Sequence, residues 1–112
     1  MKTTSNCLLL FVLYIVCISC SGDTYLHVGN EDGKGELIFN NGKSSSSLTI
    51  NCNKDWTISS SAQWCTHSLG SGKKTEIITI SVEENTTGAE RECTLTVRAE
   101  DETQTVRVVQ QN

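Results

Sequence analysis

Residues 76–82 read EIITISV and residues 93–97 read CTLTV, and in both the apolar side chains return at every second position. Ile78, Ile80 and Val82 alternate with Thr79 and Ser81, just as Cys93, Leu95 and Val97 alternate with Thr94 and Thr96. Successive side chains of a strand point to opposite faces, so a period of two marks one buried face and one wet face. Outward from these segments the pattern recurs. Leu37 and Phe39 mark one strand, Leu48, Ile50 and Cys52 another, Trp56 and Ile58 a third, Trp64 and Cys65 a short one, and Val106 and Val108 the last. Tyr25, His27 and Val28 have the β propensity for a short first strand. No stretch repeats at helical spacing.

The intervals carry turn chemistry: Asn40-Asn41-Gly42, Asn53-Lys54-Asp55, Gly70-Ser71-Gly72, Asn85 to Gly88, and Glu100-Asp101-Glu102. Short strands separated by such turns predict an all-β, antiparallel sandwich. The chain has no proline, so its sheet edges must be protected by charge and by short strands. A domain of this size buries only about 60 to 65% of its unfolded surface. Little core can be given up to a deep cleft, and any binding is expected at the surface.

Ahead of the strands, Cys7 to Ile18 form an apolar run, followed by Ser19 and Cys20. Twelve helical residues rise roughly 18 Å against a hydrocarbon core of about 30 Å, which predicts a signal peptide rather than a membrane span. Cys17-Ile18-Ser19-Cys20 resembles a bacterial lipobox, with Cys17 standing where Leu is usual. It implies cleavage before Cys20 and acylation of that residue. Two or three acyl chains anchor a protein where a single chain holds only marginally. The expected organisation is a cleaved signal peptide over residues 1–19, a lipidated Cys20 and tether over 20–34, and a sandwich over 35–112. The expected location is the bacterial outer membrane, with the domain on its periplasmic or cell-surface face.

Charge excludes one class of partner. Lys2 is the only charged residue of the leader, and the rest of the chain carries eight basic against thirteen acidic residues. Lys73 and Lys74 are the only adjacent basic pair. Nucleic acid requires a dense basic face, and none is present.

From Leu48 to Gln110 the sequence resembles the BACON domain, a module of Bacteroidetes proteins often found beside polysaccharide-degrading enzymes. The residues that carry the resemblance are Asn53-x-Asp55-Trp56-Thr57-Ile58, Trp64-Cys65-Thr66, Gly70-x-Gly72, Ile78-x-Ile80-x-Val82, Asn85-x-x-Gly88-x-x-Arg91, Leu95-Thr96-Val97 and Val109-Gln110. The resemblance implies an immunoglobulin-like sandwich, here of seven to eight strands, and a role in binding carbohydrate or glycoprotein. Leu69 departs from the family pattern, where Pro is common, and implies a looser turn.

Sugar-binding modules commonly stack a pyranose ring on an exposed aromatic. Trp56 alternates with Ile58, and Trp64 occupies a matched family position, so both are expected to face the core and neither to offer a platform. Glycan contacts would then come from polar loop side chains: Asn40, Asn41, Gln63, Asn85, Thr86, Thr87 and Gln104. The same residue types serve turn geometry, which is the competing explanation. Cys52 and Cys93 have the inward parity of strands in opposing sheets, the placement of an inter-sheet disulfide if their Cα atoms approach within about 7 Å. The alternative is that they, like Cys65, are buried free thiols acting as small hydrophobes.

Other chemistry fails on spacing. Cys65-x-His67 is a lone pair of metal-ligand types, so no metal site and no cofactor are expected. Gly70-Ser71-Gly72-Lys73-Lys74 lacks the residues of a phosphate loop. No nucleophile and base, or pair of acids, can be assembled from His27, His67 and the scattered carboxylates, so an enzyme is not expected. The sequence therefore predicts a non-catalytic envelope lipoprotein that binds carbohydrate or glycoprotein. The alternative is an interaction or spacer lipoprotein that contacts envelope proteins, its only membrane attachment being the lipid.

Overall fold

The computed structural model describes residues 23–30, 33 and 35–112. The expected leader and the lipid-bearing Cys20 lie outside the described residues. Nine strands are present among them: β1 Leu26–Gly29, β2 Glu36–Phe39, β3 Ser44–Cys52, β4 Asp55–Ser60, β5 Cys65–His67, β6 Ser71–Lys73, β7 Glu76–Val82, β8 Arg91–Ala99 and β9 Glu102–Gln110. They form two sheets of an immunoglobulin-like sandwich, one ordered β2-β9-β8-β4-β6 and the other β1-β3-β7-β5.

The two-residue period decides which side chains lie between the sheets. Leu48, Ile50, Ile78, Ile80 and Val82 project from the four-stranded sheet, and Leu95, Val97, Val106 and Val108 from the five-stranded one, all of them buried. Each such side chain contributes about 1.5–3 kcal/mol relative to exposure. The register keeps the parity in step across the strands: Leu48 lies opposite Ile78, and Val106 opposite Leu95. A slip of one residue would turn every inward side chain outward, which is why the alternation fixes the pairing.

Three features differ from the sequence expectation. β1 pairs with β3 through Leu26 opposite Cys52 and Val28 opposite Ile50. The sandwich thus begins by Leu26, ahead of the expected boundary at residue 35, because Leu26 and Val28 bury their side chains in the common core. The segment Ser71–Lys73, expected as a turn, is a ninth strand on the sheet edge, where Gly72 pairs with Trp56. The strand β2 runs parallel to β9, with Leu37 opposite Val108. Only a tight hairpin forces two strands antiparallel, and β2 and β9 are separated by most of the chain.

The β8–β9 hairpin closes through Glu100 and Asp101, with Ala99 opposite Glu102. Glu100 takes the left-handed conformation at φ 55°, and so does Lys74 at 59°, between β6 and β7. At Lys74 this turn aims the carbonyl oxygen at the Trp56 indole, whose Nε1–H donates to it at 2.7 Å. The one polar atom of the buried Trp56 is thereby satisfied, as burial requires.

Candidate functional site

Three polar residues of the family motif, Asn85, Arg91 and Gln110, gather at one end of the sandwich, where their side chains are engaged with the protein. Gln110 is fully buried. Its Nε2 donates to the Glu83 carbonyl at 2.8 Å and lies 3.3 Å from that of Gly42, while its Oε1 accepts from Arg91 Nε at 2.9 Å. The other arm of the Arg91 guanidinium donates to the Glu83 and Glu84 carbonyls, both at 3.2 Å. The guanidinium carbon also lies over the Trp64 ring, 4.3 Å from its centroid. Trp64 is half-buried against the core rather than inside it, because it lies on the loop leading into β5, where the inward face runs out.

Asn85 belongs to the same end and corrects its expected role. Its Nδ2 donates to the carbonyls of Ala89 at 2.8 Å and Gln111 at 3.0 Å, and its Oδ1 accepts from the Thr87 N–H and hydroxyl. Every hydrogen-bonding position of this buried amide is occupied by the protein, so none remains for a glycan. Thr87 is likewise committed to Asn85 and to the Ala89 carbonyl. Asn41 offers its backbone carbonyl to the Asn85 N–H at 2.7 Å, with its own side chain exposed. Asn40 and Thr86, each next to a residue of the Asn41–Asn85 contact, are exposed at this same end, as is Gln63 beside Trp64, and Gln104 is half-buried opposite Val97 toward the β8–β9 hairpin. Six of the seven expected contacts thus lie at one end of the sandwich, where the side chains of Asn85 and Thr87 are committed to the protein, and Gln104 lies apart from them.

A groove of about 780 Å³ opens at the other end of the β8–β9 hairpin, beside edge strand β6. Its walls are Asp55 and Thr57 on β4, Ser71, Gly72 and Lys73 on β6, and Arg98 with Glu100 at the end of β8; Leu69 and Glu76 complete it. The sheet register builds this arrangement. Asp55 lies opposite Lys73, and Thr57 lies between Ser71 on one side and Arg98 on the other. Trp56 forms part of the floor but is only 2% exposed, so its ring is not a stacking platform.

The groove is distinguished by charge that the protein does not use. Arg91 is bound as described, and Arg107 is paired with Glu36 and Glu92 on the outer face of the five-stranded sheet. Arg98, the remaining arginine, makes no hydrogen bond or ion pair among the described residues, and neither do the side chains of Asp55, Lys73 and Glu76. Carboxylates that accept, a forked guanidinium that donates, two hydroxyls and the apolar Leu69 suit a ligand rich in hydroxyl groups with apolar C–H faces. Sequence reasoning did not find this site. Its residues come from β4, β6, β7, β8 and two connecting segments, and no spacing along the chain brings them together.

The three cysteines of the sandwich are free and buried. The thiol beside Cys93 is that of Cys65, not Cys52. Burial and the neighbouring Cys93 push the Cys65 thiol up to about 12. Cys52 lies at the β3–β4 turn, where its Sγ accepts from the Lys54 N–H at 3.4 Å. The ring of His67 places Nδ1 2.8 Å from the Leu69 carbonyl. No group of three His, Cys, Asp or Glu side chains among the described residues is arranged to hold a metal ion.

Fold and groove together define a small β-sandwich module with a charged recess at its surface. The family described as BACON, "Putative binding domain, N-terminal", matches residues 54–111, and the chain belongs to that family. No curated protein matches the chain. Eleven chains of solved structures do. One is a Bacteroides ovatus GH5 xyloglucanase in complex with a XXXG heptasaccharide, 29% identical, with a TM-score of 0.69. The likeness covers 75% of this chain and 18% of that one.

Proposed function

We propose that this chain is a non-catalytic envelope lipoprotein, anchored through lipid on Cys20 at the outer membrane, whose sandwich binds carbohydrate in the groove between β4, β6 and β8. The single observation that carries this reading is the set of polar side chains, Asp55, Lys73, Glu76 and Arg98, that face one recess of about 780 Å³ and are unpaired among the described residues. Unpartnered charge at a surface costs little because water solvates it, so it is available to exchange water for sugar hydroxyls. Membership of a family described as a binding domain, and likeness to part of a xyloglucanase structure, support a carbohydrate-related ligand. Binding through polar side chains and Leu69, without an exposed aromatic face in the groove, implies weak affinity.

Affinity electrophoresis of residues 23–112 through gels cast with xyloglucan, other plant polysaccharides or mucin tests the proposal. Retention by at least one of them, reduced about tenfold by Arg98→Ala with the fold unchanged, is the expected result. Equal mobility in every gel removes the glycan-binding reading. The lipid anchor is tested separately by labelling cells with a fatty-acid probe, which Cys20→Ala should abolish.

A second reading, that the module contacts other envelope proteins, is favoured by two exposed aliphatic side chains on the outer sheet faces: Ile77, 70% exposed, and Ile38, 61%. Crosslinking in cells distinguishes the two readings. A constant protein neighbour lost in Ile77→Ser supports the interaction role.

A further inference from the structure

Cys65 opens β5, the three-residue edge strand of one sheet, and Cys93 lies on β8, an inner strand of the other. Both point into the space between the sheets and are 1% and 5% exposed. The loop before β5 is tied to β8 at the residue next to Cys93: the Ser61 N–H donates to the Thr94 carbonyl at 3.1 Å, and Ser61 Oγ accepts from the Thr94 N–H at 2.9 Å. The Cys65 N–H then turns back toward the Ala62 carbonyl at 3.4 Å, which sets the buried Cys65 thiol beside Cys93. Cys52 is excluded by position, because it sits at the groove end of the sandwich while Cys93 sits toward the Trp64 end.

We infer that Cys65 and Cys93 are the partners of an intramolecular disulfide that joins the two sheets when the chain meets a disulfide oxidant. One thiolate attacks a sulfur of the oxidant, releasing one oxidant thiol and leaving a mixed disulfide. The second cysteine then displaces the remaining oxidant thiol. Two electrons and two protons pass to the oxidant, and one S–S bond replaces two S–H bonds. Because both thiols are shielded, the exchange proceeds while the chain folds or when β5 detaches. Among the described residues that strand pairs with β7 alone, so it opens at lower cost than the inner strands. Once formed, the bond lies inside the core and is protected from reductant by the same packing.

The test is to refold the full chain from denaturant with oxidised glutathione, alkylate the remaining thiols and digest with trypsin. Cleavage after Lys54, Lys73 and Arg91 places Cys52, Cys65 and Cys93 on separate peptides. A linked pair of peptides containing Cys65 and Cys93, with Cys52 alkylated, is expected. A link through Cys52, or all three thiols free or capped singly by glutathione, overturns the inference. In a Cys52→Ser variant the oxidised form should melt roughly 10 °C or more above its reduced form. In Cys65→Ser that redox-dependent difference should vanish, and its persistence would also overturn the assignment.

Discussion

A Cβ atom built on Gly72 would lie 2.3 Å from Cζ2 of Trp56 and 2.7 Å from its Cε2. The indole thus occupies the space of the missing side chain, and the short strand β6 rests directly on the ring. The Trp56 ring cannot withdraw, because its Nε1–H is held by the Lys74 carbonyl and its other surfaces are packed. Gly72→Ala is therefore expected to destabilise by about 1–3 kcal/mol, the usual cost of overpacking. It should also displace β6 and with it Ser71 and Lys73 of the groove. Chemical denaturation measures the first effect, and loss of polysaccharide retention the second. Gly42→Ala, where an added Cβ meets nothing within 4 Å, is the control and should be close to neutral.

Arg91 covers Trp64 and donates to Gln110 Oε1, so its removal has two separable consequences. Arg91→Ala should expose the Trp64 face and shift the fluorescence emission to the red. It also leaves the buried Gln110 oxygen without its donor, and the combined cost is about 2 kcal/mol. Arg91→Lys keeps a cation near the ring but cannot reproduce the forked hydrogen bonding, so it should recover the fluorescence more fully than the stability. Identical emission from Arg91→Ala and the parent chain would exclude the stacked arrangement in solution.

Gln110 and Gln111 are neighbours with opposite environments, the first fully buried and the second exposed. Gln110→Leu preserves volume but abandons the Glu83 carbonyl and Arg91 Nε, which should cost about 1–3 kcal/mol. Gln111→Leu should change stability by no more than about 0.5 kcal/mol. Thermal melts of the two variants side by side would show whether the buried amide pins this end of the sandwich.

The Cys65 thiol gives the reduced protein a specific alkaline sensitivity. Its pKa is raised from an ordinary value near 9.0 to about 12, first by burial and then by Cys93. Below 9 the thiol is protonated in both states, and the folded state keeps its full stability. Above 9 the unfolded chain releases the proton while the folded chain retains it, so stability falls with rising pH until the folded thiol also ionises near 12. Denaturation of the reduced protein between pH 8 and 11 should show this decline, and Cys65→Ala should flatten it. An unchanged slope in the variant would place the titration on another group.

The alternation that predicted the sandwich also predicted its interior. Leu48, Ile78, Leu95 and Val106 each followed from parity along a single strand, because the direction of a strand side chain is set by the covalent chain itself. Parity also placed Trp56 inside, and it withdrew that ring from ligand binding. At Trp64 the same reasoning reached its limit, since the residue precedes its strand and no alternation governs a loop.

What the sequence by itself determined, then, is which residues turn inward, where the chain reverses and that two facing sheets result, all consequences of local geometry and apolar burial. Only the tertiary structure decided that β2 would lie parallel to β9, that Cys65 rather than Cys52 would meet Cys93, and that Asp55, Lys73 and Arg98 would share a recess. Those relationships depend on which strands become neighbours across long separations. A pattern read along one strand carries the face of each side chain but not the identity of what lies opposite, and in this protein the groove and the thiol pair are both built from what lies opposite.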